Sequence, residues 1–137
     1  MLDKKKITEE WFERAKHDIE GARLLFKEGH FTDTIAHLIQ QAVEKYLKGF
    51  LIFYGWKLEK IHDIEKLITE AAKYRPVFRK YLDFARRVTA YYIEDRYPPG
   101  PPIEYSKKEI KQSLQTTKEI IEEIKVDVNY KVKLTHK

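Results

Sequence analysis

The chain has 137 residues, a formal net charge of +5 and no cysteine. A chain of this length forms one domain, which buries about two-thirds of the surface that its unfolded form exposes. The absence of cysteine excludes a disulfide framework, a thiolate metal site and a cysteine nucleophile, and it fits a cytoplasmic location. The longest apolar run covers only residues 50–54, whereas a membrane-spanning helix needs about 18 apolar residues, so we predict no membrane contact.

The charges are interspersed rather than clustered. The basic excess is compatible with an acidic partner such as RNA or a nucleotide. Most of the charges are equally well explained as solvated helix faces. High Lys and Glu content with one Met and no Cys is typical of thermophile proteins, which bears on stability and not on activity.

The first two predicted helices have clear boundaries. Thr8 is predicted as an N-cap followed by two acids, and Gly29 ends helix one, which therefore spans about residues 8–28. Helix two begins near Thr32 and runs to about Tyr54 before Gly55. It is about 35 Å long at 1.5 Å per residue, which predicts the central helix of a bundle.

Three more helices follow. Helix three is predicted to start at His62–Asp63 and to break at Arg75–Pro76, because a residue before proline is disfavoured in the helical region. Helix four ends before the proline-rich segment 98–102, which favours an extended path. Helix five begins with the capping box Ser106 to Glu109 and carries its inner face to about residue 124.

Beyond residue 125 the pattern changes. Val126, Val128, Tyr130, Val132 and Leu134 alternate with polar residues, a two-residue repeat that is typical of a strand. A frayed tail is the alternative. The sequence therefore predicts a single all-α domain over residues 1–137, an antiparallel up-and-down bundle of four to five helices. Its core covers about 8–125, and its tail over 126–137 is either a short extended strand or frayed.

Several enzyme classes are excluded by residue type. The chain has no glycine-rich phosphate loop, and neither of its two serines lies in a nucleophile elbow. Its five histidines lack the i, i+4 pairing of a helical metal site. We therefore predict no metal and no resident cofactor.

Helix two carries polar residues that stand out from the Lys and Glu of the other helices. Four of them follow one another at i, i+4, i+7 and i+11, which places them on one helix face that we predict to point away from the apolar stripe. This strip either binds a nucleotide, RNA or another helix, or forms a hydrogen-bonded seam inside the bundle. Its members are His37, Gln40, Gln41, Glu44 and Lys48.

The segment 37–48, with its histidine, paired glutamines, Glu-Lys and Leu-Lys, resembles the signature of the HEPN-domain family. Further matches in the family's order are Trp11 with Ala15, His62-Asp63, and Arg96-Tyr97-Pro98. The resemblance implies a helical bundle and usually a homodimer. It also implies one of two functions: a metal-independent ribonuclease, often a toxin, or a non-catalytic companion of a minimal nucleotidyltransferase that binds nucleotide or presents a substrate.

The ribonuclease members carry an arginine, four to six intervening residues and a histidine near the end of the bundle. Arg96 stands at the arginine position here, but Pro101, Pro102 and Ile103 occupy the positions of the histidine. The one literal match, Arg23 to His30, lies at the end of helix one, where the motif does not belong. No catalytic residue is therefore assigned from the sequence.

Four candidate residues have both a functional and a structural interpretation. Arg96 either binds phosphate or bonds helix-end carbonyls, and Tyr97 either stacks on a base, accepts a modification or packs beneath the proline segment. His62 and Asp63 either contribute to a binding site or cap helix three.

The leading hypothesis is a non-catalytic, homodimeric module that binds a nucleotide such as ATP, or RNA, and works with a small nucleotidyltransferase. The first alternative is a metal-independent ribonuclease of a toxin–antitoxin pair. The second is a structural adaptor whose C-terminal strand joins its partner.

Overall fold

The computed structural model describes residues 3–93 and 104–135, all of whose regular elements are helical. The α-helices are α1 (Lys4–Lys27), α2 (Thr32–Phe53), α3 (Ile64–Ala72), α4 (Leu82–Ile93) and α5 (Lys107–Thr135). A 3-10 segment, Pro76–Tyr81, precedes α4. The predicted all-α bundle is confirmed. Arg96 and Tyr97 lie outside the described residues.

The start of α1 differs from the prediction. Asp3 is the N-cap, and its carboxylate accepts a hydrogen bond from the Lys5 amide at 3.0 Å. Thr8 is buried one turn further on, where its hydroxyl donates to the carbonyl of Gly49 at 3.2 Å. The predicted Thr8 cap is therefore wrong, because its hydroxyl bonds the neighbouring helix instead of its own helix's first turn.

The ends of α1 and α2 follow the sequence. Gly29 and Gly55 have φ values of 73° and 93°, a conformation that glycine adopts without the steric cost other residues incur. The break after α3 is also confirmed. Arg75 is extended, and Pro76 opens the 3-10 segment that leads into α4.

The α1/α2 contact is the most extensive in the bundle, and it depends on Gly49. A Cβ atom at this position would lie 2.7 Å from Cε1 of Phe12 and 3.0 Å from Cβ of Trp11. The missing side chain therefore lets the two helices approach closely.

The central position predicted for α2 is confirmed. It packs against α1, α3, α4 and α5. Its buried residues occupy all of its faces, as expected of a helix surrounded by others. Consequently even a polar strip on α2 lies between helices.

Both alternatives predicted for the tail, a short strand and a frayed end, are wrong, because α5 continues without interruption through residue 135. The alternating apolar residues also contain a helical repeat: Val128 is buried and Val132 is partly buried against the core, four residues apart. The remaining members, Val126, Tyr130 and Leu134, point outward from the same helix and are 61%, 58% and 46% exposed. Residues 126–135 therefore form no strand that could join the sheet of a partner protein.

Candidate functional site

The polar strip of α2 lies inside the bundle, where it occupies a different face of the helix from the apolar stripe. Gln40, Glu44 and Lys48 are all buried, with 0%, 6% and 4% of their surface exposed. Gln41 and His37 are half-buried on the same helix. The interpretation of this strip as a hydrogen-bonded seam is the one that the structure supports.

Glu44 is the centre of the seam. Its Oε1 atom accepts a hydrogen bond from the Gln40 amide at 2.9 Å, and its Oε2 atom accepts one from the Lys48 ammonium at 3.1 Å. The Gln41 amide donates in turn to Oε1 of Gln40 at 2.7 Å. The carboxylate is thus neutralised by a buried cation one helical turn away, as a charge in a protein interior requires.

His62 connects the seam to the surface. It lies in the connection before α3, and its Nδ1 atom is 3.0 Å from Oε1 of Glu44. The imidazole is 46% exposed at the side chain, whereas the carboxylate is 8% exposed. A carboxylate that holds one ring nitrogen fixes the orientation of the imidazole, the arrangement used where histidine transfers protons. We call the five residues Gln40, Gln41, Glu44, Lys48 and His62 the Glu44 network.

The residue next to His62 has a structural role. The Asp63 carboxylate accepts hydrogen bonds from the amides of Glu65 and Lys66 at 3.0 Å and 3.4 Å, so its predicted role as the N-cap of α3 is confirmed. The Ile64 amide donates a hydrogen bond to the hydroxyl oxygen of Thr89 on α4 at 2.9 Å. These contacts fix the start of α3 and therefore the position of His62.

The sequence did not predict the ion pairs that connect α1 to α2 and Arg75 to α5. Lys45 on α2 bonds Asp18 on α1 at 2.7 Å. Arg75, at the end of α3, bonds Glu123 at 2.7 Å and Asp127 at 3.5 Å on α5. Opposite charges far apart in sequence could not be paired from one sequence, because no local spacing connects them.

Two tyrosines, partly buried Tyr54 and buried Tyr91, bond carboxylates on α5. The Tyr54 hydroxyl donates to Asp127, and burial together with this hydrogen bond strongly raises the pKa of Tyr54. Tyr91 donates to Glu109 at 2.5 Å, and burial followed by that hydrogen bond likewise raises its pKa. In the predicted capping box Ser106 accepts from the Glu109 amide at 3.0 Å, while the Glu109 carboxylate bonds Tyr91.

The described residues, 3–93 and 104–135, contain neither a metal-binding cluster nor a membrane-spanning helix. Within these ranges, no three or more His, Cys, Asp or Glu side chains come together in a way that could hold a metal ion. No helix in them combines the length and the apolar character needed to cross a membrane.

The chain is similar to known proteins in both sequence and fold. The family model described as the HEPN domain matches residues 8–127, most of the chain and all of the Glu44 network. The chain belongs to the HEPN family. A protein of Methanocaldococcus jannaschii named "Putative toxin MJ1304" is 26% identical over an alignment of 133 residues, and the match covers 88% of this chain and 87% of that protein.

The fold of this HEPN protein is also found in a solved structure. The crystal structure of "ST0689, an archaeal HEPN homologue" superposes with a TM-score of 0.71 at 26% sequence identity. The match covers 88% of this chain and 97% of that one. The family resemblance noted from residues 37–48 is confirmed.

Proposed function

We propose that this HEPN protein is the toxin-like member of a two-protein pair and acts by binding, with a small nucleotidyltransferase as its partner and a nucleotide such as ATP as its ligand. The main support for a binding role is that Pro101, Pro102 and Ile103 occupy the positions where a ribonuclease of this family has its histidine after the arginine. The sequence therefore lacks a proton-transferring group at that position, which acid–base chemistry on RNA would need. The proposed working unit is a homodimer, as in the family.

The Glu44 network supports a binding role. The side-chain polar atoms of Gln40, Glu44 and Lys48 bond one another inside the bundle, so these residues stabilise the fold and are not available to a reacting ligand. The similarity to the Methanocaldococcus jannaschii protein named "Putative toxin MJ1304" supports the assignment to a two-protein pair.

The first test is RNA cleavage. Purified protein is incubated with total tRNA in EDTA, beside Arg96→Ala. The proposal expects intact RNA in both samples. Cleavage that the Arg96→Ala substitution abolishes would refute a purely binding role.

The second test is binding of ATP, followed by the melting temperature. A ligand at about 100 times its Kd stabilises the folded state by about 2.7 kcal/mol, which thermal unfolding detects easily. We expect ATP to raise the melting temperature of the wild type and of the control Arg79→Ala, an exposed arginine of the 3-10 segment. Arg96→Ala should show no rise. An equal rise in all three proteins would remove Arg96 from the site, and no rise in the wild type would argue against nucleotide binding.

A second candidate function has one specific observation in its favour. The imidazole of His62 is oriented by Glu44 and exposed at the surface, so it is placed to act as a general acid or base in a metal-independent ribonuclease. His17 offers a matched control, since it also lies beside a glutamate, Glu13, at 3.3 Å but on the exposed face of α1. This candidate expects cleavage that His62→Ala abolishes and His17→Ala leaves intact.

A further inference from the structure

An open cavity of about 410 Å³ lies between α1 and α5. Arg23 contributes to it from α1, and the rest of the lining comes from α5. The volume falls within the range of about 300–1,000 Å³ that is usual for small-molecule sites. We call this cavity the α1/α5 groove, and its lining residues are Arg23, Lys111, Gln112, Leu114, Gln115 and Lys118.

The lining of the groove is positively charged. Its six lining residues include three cations and no acid. Arg23, Lys111 and Lys118 are exposed, and within the described residues none of them lies at ion-pair distance from a carboxylate. The cations Lys45 and Arg75 are both paired across helices. Among residues 3–93 and 104–135, no ion pair therefore neutralises the positive charge of the groove.

The other polar groups of the groove suit the same kind of ligand. Gln112 and Gln115 are exposed beside the cations, and each offers an amide that donates two hydrogen bonds. Guanidinium, ammonium and amide donors together are the groups that bind phosphate oxygens. Most of the lining surface is apolar, and it comes from half-buried Leu114 and from the aliphatic stems of the long polar side chains.

The spacing of the cations indicates a ligand with more than one phosphate. Lys111 and Lys118 are separated by two helical turns of α5, which is about 10.5 Å along the helix axis. Arg23 faces them from α1. A chain of phosphates can span this distance along the groove, whereas a single phosphate would contact both ammonium groups only if the two side chains turned towards each other.

We propose that the α1/α5 groove binds the phosphates of a polyphosphate ligand, either the phosphate chain of a nucleotide or the backbone of single-stranded RNA. None of the groove residues belongs to the Glu44 network or to the Arg96-Tyr97 pair. The groove therefore goes beyond the proposed function, and its test does not depend on RNA cleavage, on Arg96 or on a nucleotidyltransferase.

The test compares two variants of equal net charge. The groove variant replaces its three cations by glutamine. The control variant does the same to three exposed lysines before and within α3, which line no part of the groove. The substitutions are Arg23→Gln, Lys111→Gln and Lys118→Gln in the groove variant, and Lys57→Gln, Lys60→Gln and Lys66→Gln in the control.

Binding of a fluorescein-labelled single-stranded RNA is measured by anisotropy at several salt concentrations. Each phosphate contact to a single strand contributes about 0.7 to the slope of log affinity against log salt, so three contacts contribute about 2. The affinity of the wild type and of the control should fall about 20-fold more than that of the groove variant over a fourfold rise in salt. Competition with unlabelled ATP and with inorganic phosphate identifies the source of the phosphates.

Two outcomes support the groove and two overturn it. If ATP displaces the labelled RNA, the groove binds nucleotide phosphates. If ATP does not displace the RNA, the groove binds the nucleic-acid backbone. An equal loss in the control variant would mean that net charge alone binds RNA. Wild-type protein that binds none of the three probes would also refute the proposal. If the groove variant melts at a lower temperature, Lys111→Gln and Lys118→Gln are measured singly, each with an expected loss of about 0.7 in slope.

Discussion

Glu44 and Lys48 form a buried ion pair, and removing one partner should be far more harmful than removing both. In Glu44→Met the carboxylate is lost while the side-chain volume is nearly kept, so the Lys48 ammonium, 6% exposed at the side chain, has no counter-charge. Breaking a buried pair in this way costs about 3–5 kcal/mol. For a chain of this size that corresponds to a fall in melting temperature of about 10–20 °C.

The double variant Glu44→Met/Lys48→Met separates the pair's charge from its packing. Replacing both partners of a buried ion pair by apolar side chains is often neutral or stabilising. Here the Gln40 amide also loses its acceptor on Glu44, which costs about 1–3 kcal/mol. We therefore expect the double variant to be less stable than the wild type but at least about 1 kcal/mol more stable than Glu44→Met.

The assay is urea unfolding followed by circular dichroism at neutral pH. Its matched control is Glu20→Met, which removes one partner of an exposed i, i+4 pair, Lys16–Glu20, and should change the free energy of unfolding by less than about 0.5 kcal/mol. If Glu44→Met were as mild as Glu20→Met, the pair would not be desolvated. If the double variant were no more stable than Glu44→Met, the two charges would not be coupled. Either result would contradict the reasoning.

The remaining predictions concern helix packing and a buried tyrosine. Gly49→Ala should destabilise the protein by about 1–2 kcal/mol in thermal unfolding, because the new Cβ would lie 2.7 Å from the Phe12 ring. Gly21→Ala, with only ordinary contacts, should instead stabilise α1 by up to about 1 kcal/mol, and equal effects at both sites would contradict this account. Burial and the Glu109 hydrogen bond raise the pKa of Tyr91, so only the unfolded chain ionises this tyrosine as the pH rises above about 10. Stability should then decline above that pH and decline less steeply in Tyr91→Phe, as measured by urea unfolding at each pH; parallel declines would rule the explanation out.

Local signals in the sequence predicted the fold well where they were strong. Glycine at positions 29 and 55 and proline at 76 act on the backbone itself, so the chain ends or breaks its helices there whatever the tertiary context. Thr8 shows the limit of such signals. A hydroxyl near a helix start is an N-cap only if no other acceptor competes, and the Gly49 carbonyl competes here.

The tail of α5 shows a second limit. An alternation of period two and a repeat of i, i+4 share every second member, so residues 126–134 satisfy both patterns. Packing decided between them, since Val128 and Val132 continue the face that α5 already buries. A single sequence does not show that the preceding helix extends this far.

The polar strip was identified by residue type, and of its two interpretations the structure supports the hydrogen-bonded seam inside the bundle. The unusual Gln-Gln and Glu-Lys pattern of α2 did indicate interacting side chains. Whether this face met water or other helices depended on how many helices pack around α2, which is a property of the tertiary structure. The approach of His62 to Glu44 could not be predicted, because it joins two elements through a connection without a regular pattern.

The Glu44 network has a consequence for the rotational register of α2. A helix with buried residues on all its faces could settle against its neighbours in several rotations about its axis if all of those residues were apolar. Turning α2 by one residue, about 100°, would move Glu44 away from His62 and leave buried polar groups without partners. The polar side chains at the centre of the bundle therefore select one rotation of this helix, and with it the face that α2 presents to each of the other four.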